Sequence, residues 1–315
     1  MKPIRIVSRG SALALAQANM ILGQCRAAFP DESFEINIIK TTGDKLQTAS
    51  LASANLPKGL FTKELETALL NGEGDLAVHS LKDLPTDLPA GLKLGAASKR
   101  ADVRDVLIHR ANSRFPLHAS PFAFLPQRAT VATSSTRRRA QLLDGRPDLN
   151  IVPIRGNVGT RLRKLAEQSE LDATVLAAAG LERLHFRSGD LAEISGENVP
   201  AGLLATAIPV DEMLPCVGQA ALGIEIREND PRLEKICAAL NHDATQACVI
   251  AERAFLRGMG GGCQLAVGAY GEILGEQLRL RGVSFLGAKP VRGERSGKTS
   301  EAATLGEELA RQLRP

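Results

Sequence analysis

The sequence predicts an α/β protein whose last third turns α+β. Three observations carry this: short apolar strands alternate with amphipathic helices through the first two thirds, two interruptions divide that alternation, and the remainder runs helix, helix, strand, strand. At roughly 100–200 residues per domain, 315 residues imply two or three domains rather than one core.

The elements follow in order. Ile4–Val7 reads as an apolar strand, and Ala14, Ala18, Ile21, Leu22, Cys25 and Phe29 then share one helical face before Pro30 closes it. Phe34, Ile36 and Ile38 alternate as a strand does; Phe61, Leu65, Ala68 and Leu69 return to helical spacing until Asn71-Gly72. Further strands are expected near Leu76–Val78, Leu94–Ala97, Val106–Ile108, Val131–Thr133, Ile151–Ile154 and Thr174–Ala177, with helices around Arg137–Leu143 and Val158–Glu167. The first interruption lies near Lys99–Arg104. The second follows Ala221–Arg227, after which strands are expected near Leu265–Tyr270 and Gln277–Val283. Segments 48–58 and 188–202 read as loops.

Composition narrows the function. Hydrophobic residues at 44% and charged residues at 23% suit a folded, soluble chain. No apolar run approaches the roughly 18 residues of a membrane span, and Arg5, Arg9, Gln17 and Asn19 interrupt the start, so a cytoplasmic protein is expected. The five cysteines (Cys25, Cys216, Cys237, Cys248, Cys263) are odd in number and lack CxxC spacing, which argues for free thiols. The net charge of +4 could serve nucleic acid, an anionic surface or small polyanions. With no Trp and one Tyr there is little material for base stacking, which favours small anions.

Four segments could carry chemistry. GDLAVHSLKDLP (74–85) is a strand that Pro85 stops, leaving Asp83 and Lys82 at its carboxyl end, where ligands gather in open α/β sheets; a solvated turn is the alternative. ATSSTRRRAQLL (132–143) opens a helix with arginines, an arrangement that opposes the helix dipole unless an anion sits there. Ser134, Ser135, Arg137 and Arg138 therefore form a candidate carboxylate or phosphate cradle, the alternative being a basic solvated face. RGNVGTRLRKL (155–165) repeats the pattern with Arg161, and two cradles imply a multiply charged ligand. GMGGGCQLAVGAY (258–270) presents Cys263 behind consecutive glycines, whereas the other thiols fit the buried, inert kind. His79, His109, His118, His185 and His242 lack metal-ligand spacing, so no metal is expected, and His79 reads as structural.

SRGSALALAQ, TTGD, KGLFTKELE, AVHSLKDLP, ATSSTRR, RGNVGTRL, AAAGLERL, VGQAALGIE, LNH, AERAFL and GGGCQ, taken in order, resemble the hydroxymethylbilane synthase (porphobilinogen deaminase) family. That resemblance implies two α/β lobes built like type II periplasmic binding proteins and a small α+β C-terminal domain. The implied units are 1–99 with 216–238, then 100–215, then 239–315. It also implies a cytoplasmic, monomeric transferase of porphyrin biosynthesis, without nucleic-acid or membrane partners, that joins four porphobilinogen units into hydroxymethylbilane with loss of ammonia.

Cys263 would bear a dipyrromethane cofactor through a thioether, with Lys82, Asp83, Ser135, Arg137 and Arg138 binding it, and Asp83 would be the catalytic carboxylate. Arg9, Ser11, Gln17, Arg155, Arg161 and Arg183 would grip substrate acetate and propionate groups. The chain departs from the family pattern at Ala132 and Thr136, at Gly260 where an acidic residue is usual, and at Ala220 where GQG has its second glycine. A non-catalytic bilobal anion-binding protein is the competing reading, and a nucleic-acid binder a third.

Overall fold

In the computed structural model, residues 2–42, 61–110, 121–122, 125–186, 192–197, 199–262 and 264–315 are described. They build three sheets. The expected loop 48–58 and Cys263 lie outside the described residues.

The first sheet has strand order β2-β1-β3-β11-β4, formed by Phe34–Ile39, Ile4–Arg9, Leu76–Ser80, Leu222–Arg227 and Leu92–Ala97. β1 runs parallel to β2 and β3, whereas β11 is antiparallel to both β3 and β4. Helix α1 (Ala12–Ala28) covers one face, where Ala18, Ile21 and Cys25 meet Ile4, Ile6 and Val78. Ser11 caps its start by accepting from the Ala14 amide. Helix α2 (Lys63–Leu70) covers the other face with Leu65, Ala68 and Leu69. Burying each such leucine contributes about 1.5–3 kcal/mol, and packing on both faces explains why β1 and β3 are buried along most of their length.

The second sheet has order β7-β6-β8-β5-β10-β9, with β5 at Asp105–Arg110, β6 at Thr130–Ala132, β7 at Asn150–Val152, β8 at Ala173–Ala177, β9 at Ala192–Glu193 and β10 at Leu203–Ala207. β6 is parallel to β7 and β8, and β5 is antiparallel to β8 and β10. Part of the expected loop 188–202 is therefore strand: β9 pairs with β10, using backbone hydrogen bonds that carry no side-chain periodicity. Helices α3 (Thr136–Gly145), α4 (Val158–Glu167) and α5 (Ala178–Arg183) follow β6, β7 and β8. Ser135 and Asn157 cap the first two.

Helix α6 (Pro231–Leu240) joins the core of the first sheet through Leu233, Ile236 and Cys237. The last unit packs α7 (Asp243–Gly258) and α8 (Ala302–Leu313) against an antiparallel sheet β12-β13-β14, made of Val267–Leu274, Gln277–Ser284 and Val291–Lys298. Phe255 of α7 is wholly buried among Leu278, Leu280 and Leu309. β14 and α8 are additions to the elements expected from the sequence.

Two connections join the first two sheets, one between Ala97 and Asp105 and one between Ala207 and Leu222. The topology then fixes which residues meet. β1 and β3 deliver their carboxyl ends, and antiparallel β11 its amino end, to one edge of the first sheet. β6, β7 and β8 do the same in the second sheet, and antiparallel β5 brings the amino end that begins with Asp105.

Candidate active site

Asp83 closes a single 3-10 turn, Leu81–Asp83, directly after β3, and its side chain is exposed. It lines a cleft with Arg9, Ser11, Gln17, Phe61 and Ser80. The Arg9 guanidinium lies 4.2 Å from the Phe61 ring centroid, a cation–π contact at the edge of the cleft. Buried Gln17 donates from Nε2 to Ser80 Oγ at 2.8 Å, tying α1 to the end of β3. Ser11 is half-buried and spends an acceptor on its cap.

Lys82 points the other way, its Nζ donating to Gln219 Oε1 at 3.3 Å. Burial lowers its pKa, and Arg138 acts in the same direction while Asp83 and Asp105 oppose it. The Lys82 and Leu81 backbone is crowded by Gly218, whose φ is +70° and where a Cβ would come 3.3 Å from Leu81 C and Lys82 N. Only glycine allows that approach without displacing the turn.

The arginine-led helix required an anion at its start, and the protein supplies one the sequence analysis did not identify. Asp105, wholly buried, accepts from Arg137 Nη2 and Arg138 Nη2, both at 2.8 Å. Arg137 also donates to Leu214 O at 2.7 Å and Arg138 to Val175 O at 2.8 Å. One compensating charge thus comes from within, from β5, and a single carboxylate offsets only one of the two guanidiniums. Both arginines are buried, so neither forms a solvated basic face.

Gln219 completes the junction. Its Nε2 donates to Val103 O at 2.8 Å and to Asp105 Oδ1 at 2.9 Å, so one amide links Lys82, beside Asp83, to the residue that holds Arg137 and Arg138. Arg183 is buried and donates to Ala220 O at 2.5 Å. Arg161 donates from Nε to Gly156 O at 2.8 Å; burial and the neighbouring Arg138 and Arg155 push its pKa down to about 10, against the pull of Asp83. Arg155 is exposed, and half-buried Ser135 accepts from Arg138 N at 3.4 Å.

Near Cys263 the adjoining residues are held from two sides. Thr136 Oγ1 donates to Gln264 O at 2.8 Å, and a Cβ on Gly261 would lie 3.4 Å from Thr86 Oγ1. The other thiols are free; Cys25, Cys237 and Cys248 are buried in helices and Cys216 is half-buried. Burial pushes Cys25 and Cys248 up to about 11 and Cys237 to about 12.

The arrangement suits a ligand bearing several carboxylates. The Nε atoms of Arg137, Arg138 and Arg183 are buried without a partner, donors that a dry site leaves unsatisfied at appreciable cost. Arg161 and Arg138 crowd one another, a repulsion that bound anions relieve. Acetate and propionate groups on a chain of pyrroles supply such anions, so these residues fit a dipyrromethane group. Among the described residues no cluster suits a metal ion, and no helix is long and apolar enough to cross a membrane.

Comparison with known proteins adds a second line. The family model for the porphobilinogen deaminase dipyromethane cofactor binding domain matches residues 4–235, and that for the porphobilinogen deaminase C-terminal domain matches 246–314. The porphobilinogen deaminase of Geobacter metallireducens is 44% identical over 314 residues, covering 99% of this chain and 91% of its own. That of Trichlorobacter lovleyi is 46% identical over 314 residues, covering 99% and 93%. The solved periplasmic VFT2 domain of BvgS from Bordetella pertussis is a looser likeness, with a TM-score of 0.42 at 15% identity over 76% of this chain and 86% of that one.

Proposed function

The chain belongs to the porphobilinogen deaminase family, and on that premise we propose that Asp83 is its catalytic carboxylate, Cys263 the attachment point of its primer, and the surrounding arginines the grip on the product's carboxylates. The activity is that of a hydroxymethylbilane synthase, a transferase of tetrapyrrole biosynthesis acting on porphobilinogen with a dipyrromethane cofactor. Dipyrromethane, when bound, supplies the pyrrole carbon to which the first unit is joined.

Asp83 does the electrostatic work. Release of ammonia leaves positive charge beside a pyrrole nitrogen, and an ionised carboxylate at the cleft edge accepts from that N–H and stabilises the charge. Its exposed position at the end of β3 keeps it accessible to each incoming unit. Arg9, Ser11, Gln17, Arg155, Arg161 and Arg183 bind substrate carboxylates, while Lys82, Ser135, Arg137 and Arg138 serve the cofactor. Each charge-assisted hydrogen bond contributes about 1.5–3 kcal/mol, enough in combination to retain a polyanion through repeated additions.

The assigned units are 1–99 with 216–238, 100–215 and 239–315, in a cytoplasmic monomer without nucleic-acid or membrane partners. The observation that carries this reading is that Asp83, at the mouth of a cleft on the first sheet, lies within electrostatic reach of Arg161 of the second, while Gln219 ties its neighbour Lys82 to the Asp105 that holds Arg137 and Arg138. A passive anion binder needs the arginines but neither Asp83 nor a modified thiol. Intact mass separates the two: the reading requires an increment of two linked pyrroles that disappears in Cys263→Ser, and full turnover by an unmodified chain contradicts it.

A further inference from the structure

The β3 ladder ends before the turn that carries Asp83, and Pro85 beyond it has no N–H to restart one, so the carbonyls of Leu84, Pro85 and Thr86 need partners from elsewhere. They find them on α7. Arg253 donates from Nη1 to Leu84 O at 3.3 Å, and from Nη2 to Pro85 O at 2.6 Å and Thr86 O at 3.1 Å. One turn later, Arg257 donates to Thr86 O at 3.0 Å and to the Asp87 carboxylate at 2.9 Å. Four residues after Arg257, Gly261 passes so near that a Cβ on it would lie 3.4 Å from the Thr86 hydroxyl. The segment 84–87 is therefore held by the arginines of α7, close to the loop that leads from α7 to Cys263.

We propose that Arg253 is a positioning residue, which fixes Asp83 relative to the cofactor loop by clasping the three carbonyls of Leu84, Pro85 and Thr86. This rests on the assignments of Asp83 and Cys263 made above. A planar guanidinium can reach three carbonyls spread along a turn, whereas a lysine ammonium concentrates its donors at one point. The helix itself is rigidly seated, since Ala251, Ala254 and Phe255 are buried in the C-terminal core and Glu252 accepts from the Gly218 and Gly271 amides at 2.7 and 2.8 Å. Burial and the adjacent Arg257 push the Arg253 pKa down to about 10, with Asp87 and Glu225 opposing, so the clasp stays charged at neutral pH. Its consequence is constant geometry: the carboxylate and the attachment loop keep one separation while the product lengthens.

The test is a double-mutant cycle on cofactor-loaded enzyme, with loading verified by mass and the first porphobilinogen addition followed in a single turnover. Arg253→Met should load its cofactor yet add the first unit about 10- to 100-fold more slowly, as expected for a misplaced catalytic group. Arg253→Lys should recover part of that rate, and millimolar guanidinium should restore part of it to Arg253→Ala. In an Asp83→Asn background the same Arg253 change should cost less than about twofold more, because two residues acting through one contact are not additive. Losses that multiply, or an unslowed Arg253→Met, overturn the proposal. Where Arg253→Met fails to load, Arg253→Lys carries the same cycle with the same two outcomes. A fully active Asp83→Asn would instead show that the Asp83 assignment fails.

Discussion

Gln219 and Asp105 meet through a 2.9 Å hydrogen bond from Nε2 to Oδ1, at a sequence separation of 114 residues. The bond joins the connection entering the first sheet to the strand that anchors the arginine-led helix of the second. Since Gln219 also accepts from Lys82, the environments of Asp83 and of Arg137 and Arg138 are mechanically linked.

Removing the charge at that junction should be severe. Asp105→Asn leaves two buried guanidiniums uncompensated, a loss of about 3–5 kcal/mol, and should lower Tm and cofactor loading together. Burial disfavours the Asp105 carboxylate, but Arg137 and Arg138 overcome this and hold it well below the usual carboxylate range. A depressed folded pKa gives stability that is complete above the unfolded value of about 4 and is lost as pH falls toward the folded value. The Tm of the unsubstituted protein should therefore fall more steeply below about pH 4 than that of Asp105→Asn. Parallel pH profiles would contradict the charge account.

Ala220 sits at φ +73°, in the left-handed region where the family pattern has glycine. Its carbonyl receives Arg183, so the strain is held in place by that contact and by the Ala101 amide. Ala220→Gly should relieve about 1 kcal/mol and raise Tm by about 1–2 °C with activity kept, measured by calorimetry. A lower Tm would mean the alanine conformation is not strained.

Thr136, where the chain departs from the family pattern, donates to Gln264 O beside Cys263. Thr136→Leu removes one exposed hydrogen bond, worth about 0.5–1.5 kcal/mol, so global stability should change little while proteolysis near residues 259–265 becomes faster. Unchanged cleavage there would remove Thr136 as an anchor.

The buried thiols should be chemically silent. With Cys25 and Cys248 near 11 and Cys237 near 12, almost none is thiolate at pH 8. In apo-protein, brief iodoacetamide treatment should place label on Cys263 and leave those three unlabelled by peptide mass mapping. Faster labelling of Cys248 than Cys263 would contradict the assignment.

The legible parts of the molecule were those with local causes. Asp83 could be placed because a strand and a proline bracket it, and Ser135 because a cap must precede a helix. Asp105 and Gln219 could not, since their partners lie 32 to 137 residues away and their own surroundings read as strand and loop. Arg253 sits in a helix whose pattern tells which face is buried but not which carbonyls its other face meets. β14 carries Arg292, Glu294, Arg295 and Lys298 at an exposed edge, so it lacks the apolar alternation that marks a strand, whereas α8 does show it at helical spacing in Ala302, Leu305, Leu309 and Leu313.

Asp83→Asn removes the charge proposed to drive the chemistry with little change of shape. The measurement is single-turnover addition of porphobilinogen by protein whose cofactor loading has been confirmed by intact mass. Losing one preorganised electrostatic partner should slow that step by about a hundredfold or more, roughly 3 kcal/mol, with folding unchanged, and Asp83→Glu should retain more activity than Asp83→Asn. Cofactor-loaded Asp83→Asn turning over at the unsubstituted rate would show that Asp83 is not the catalytic carboxylate.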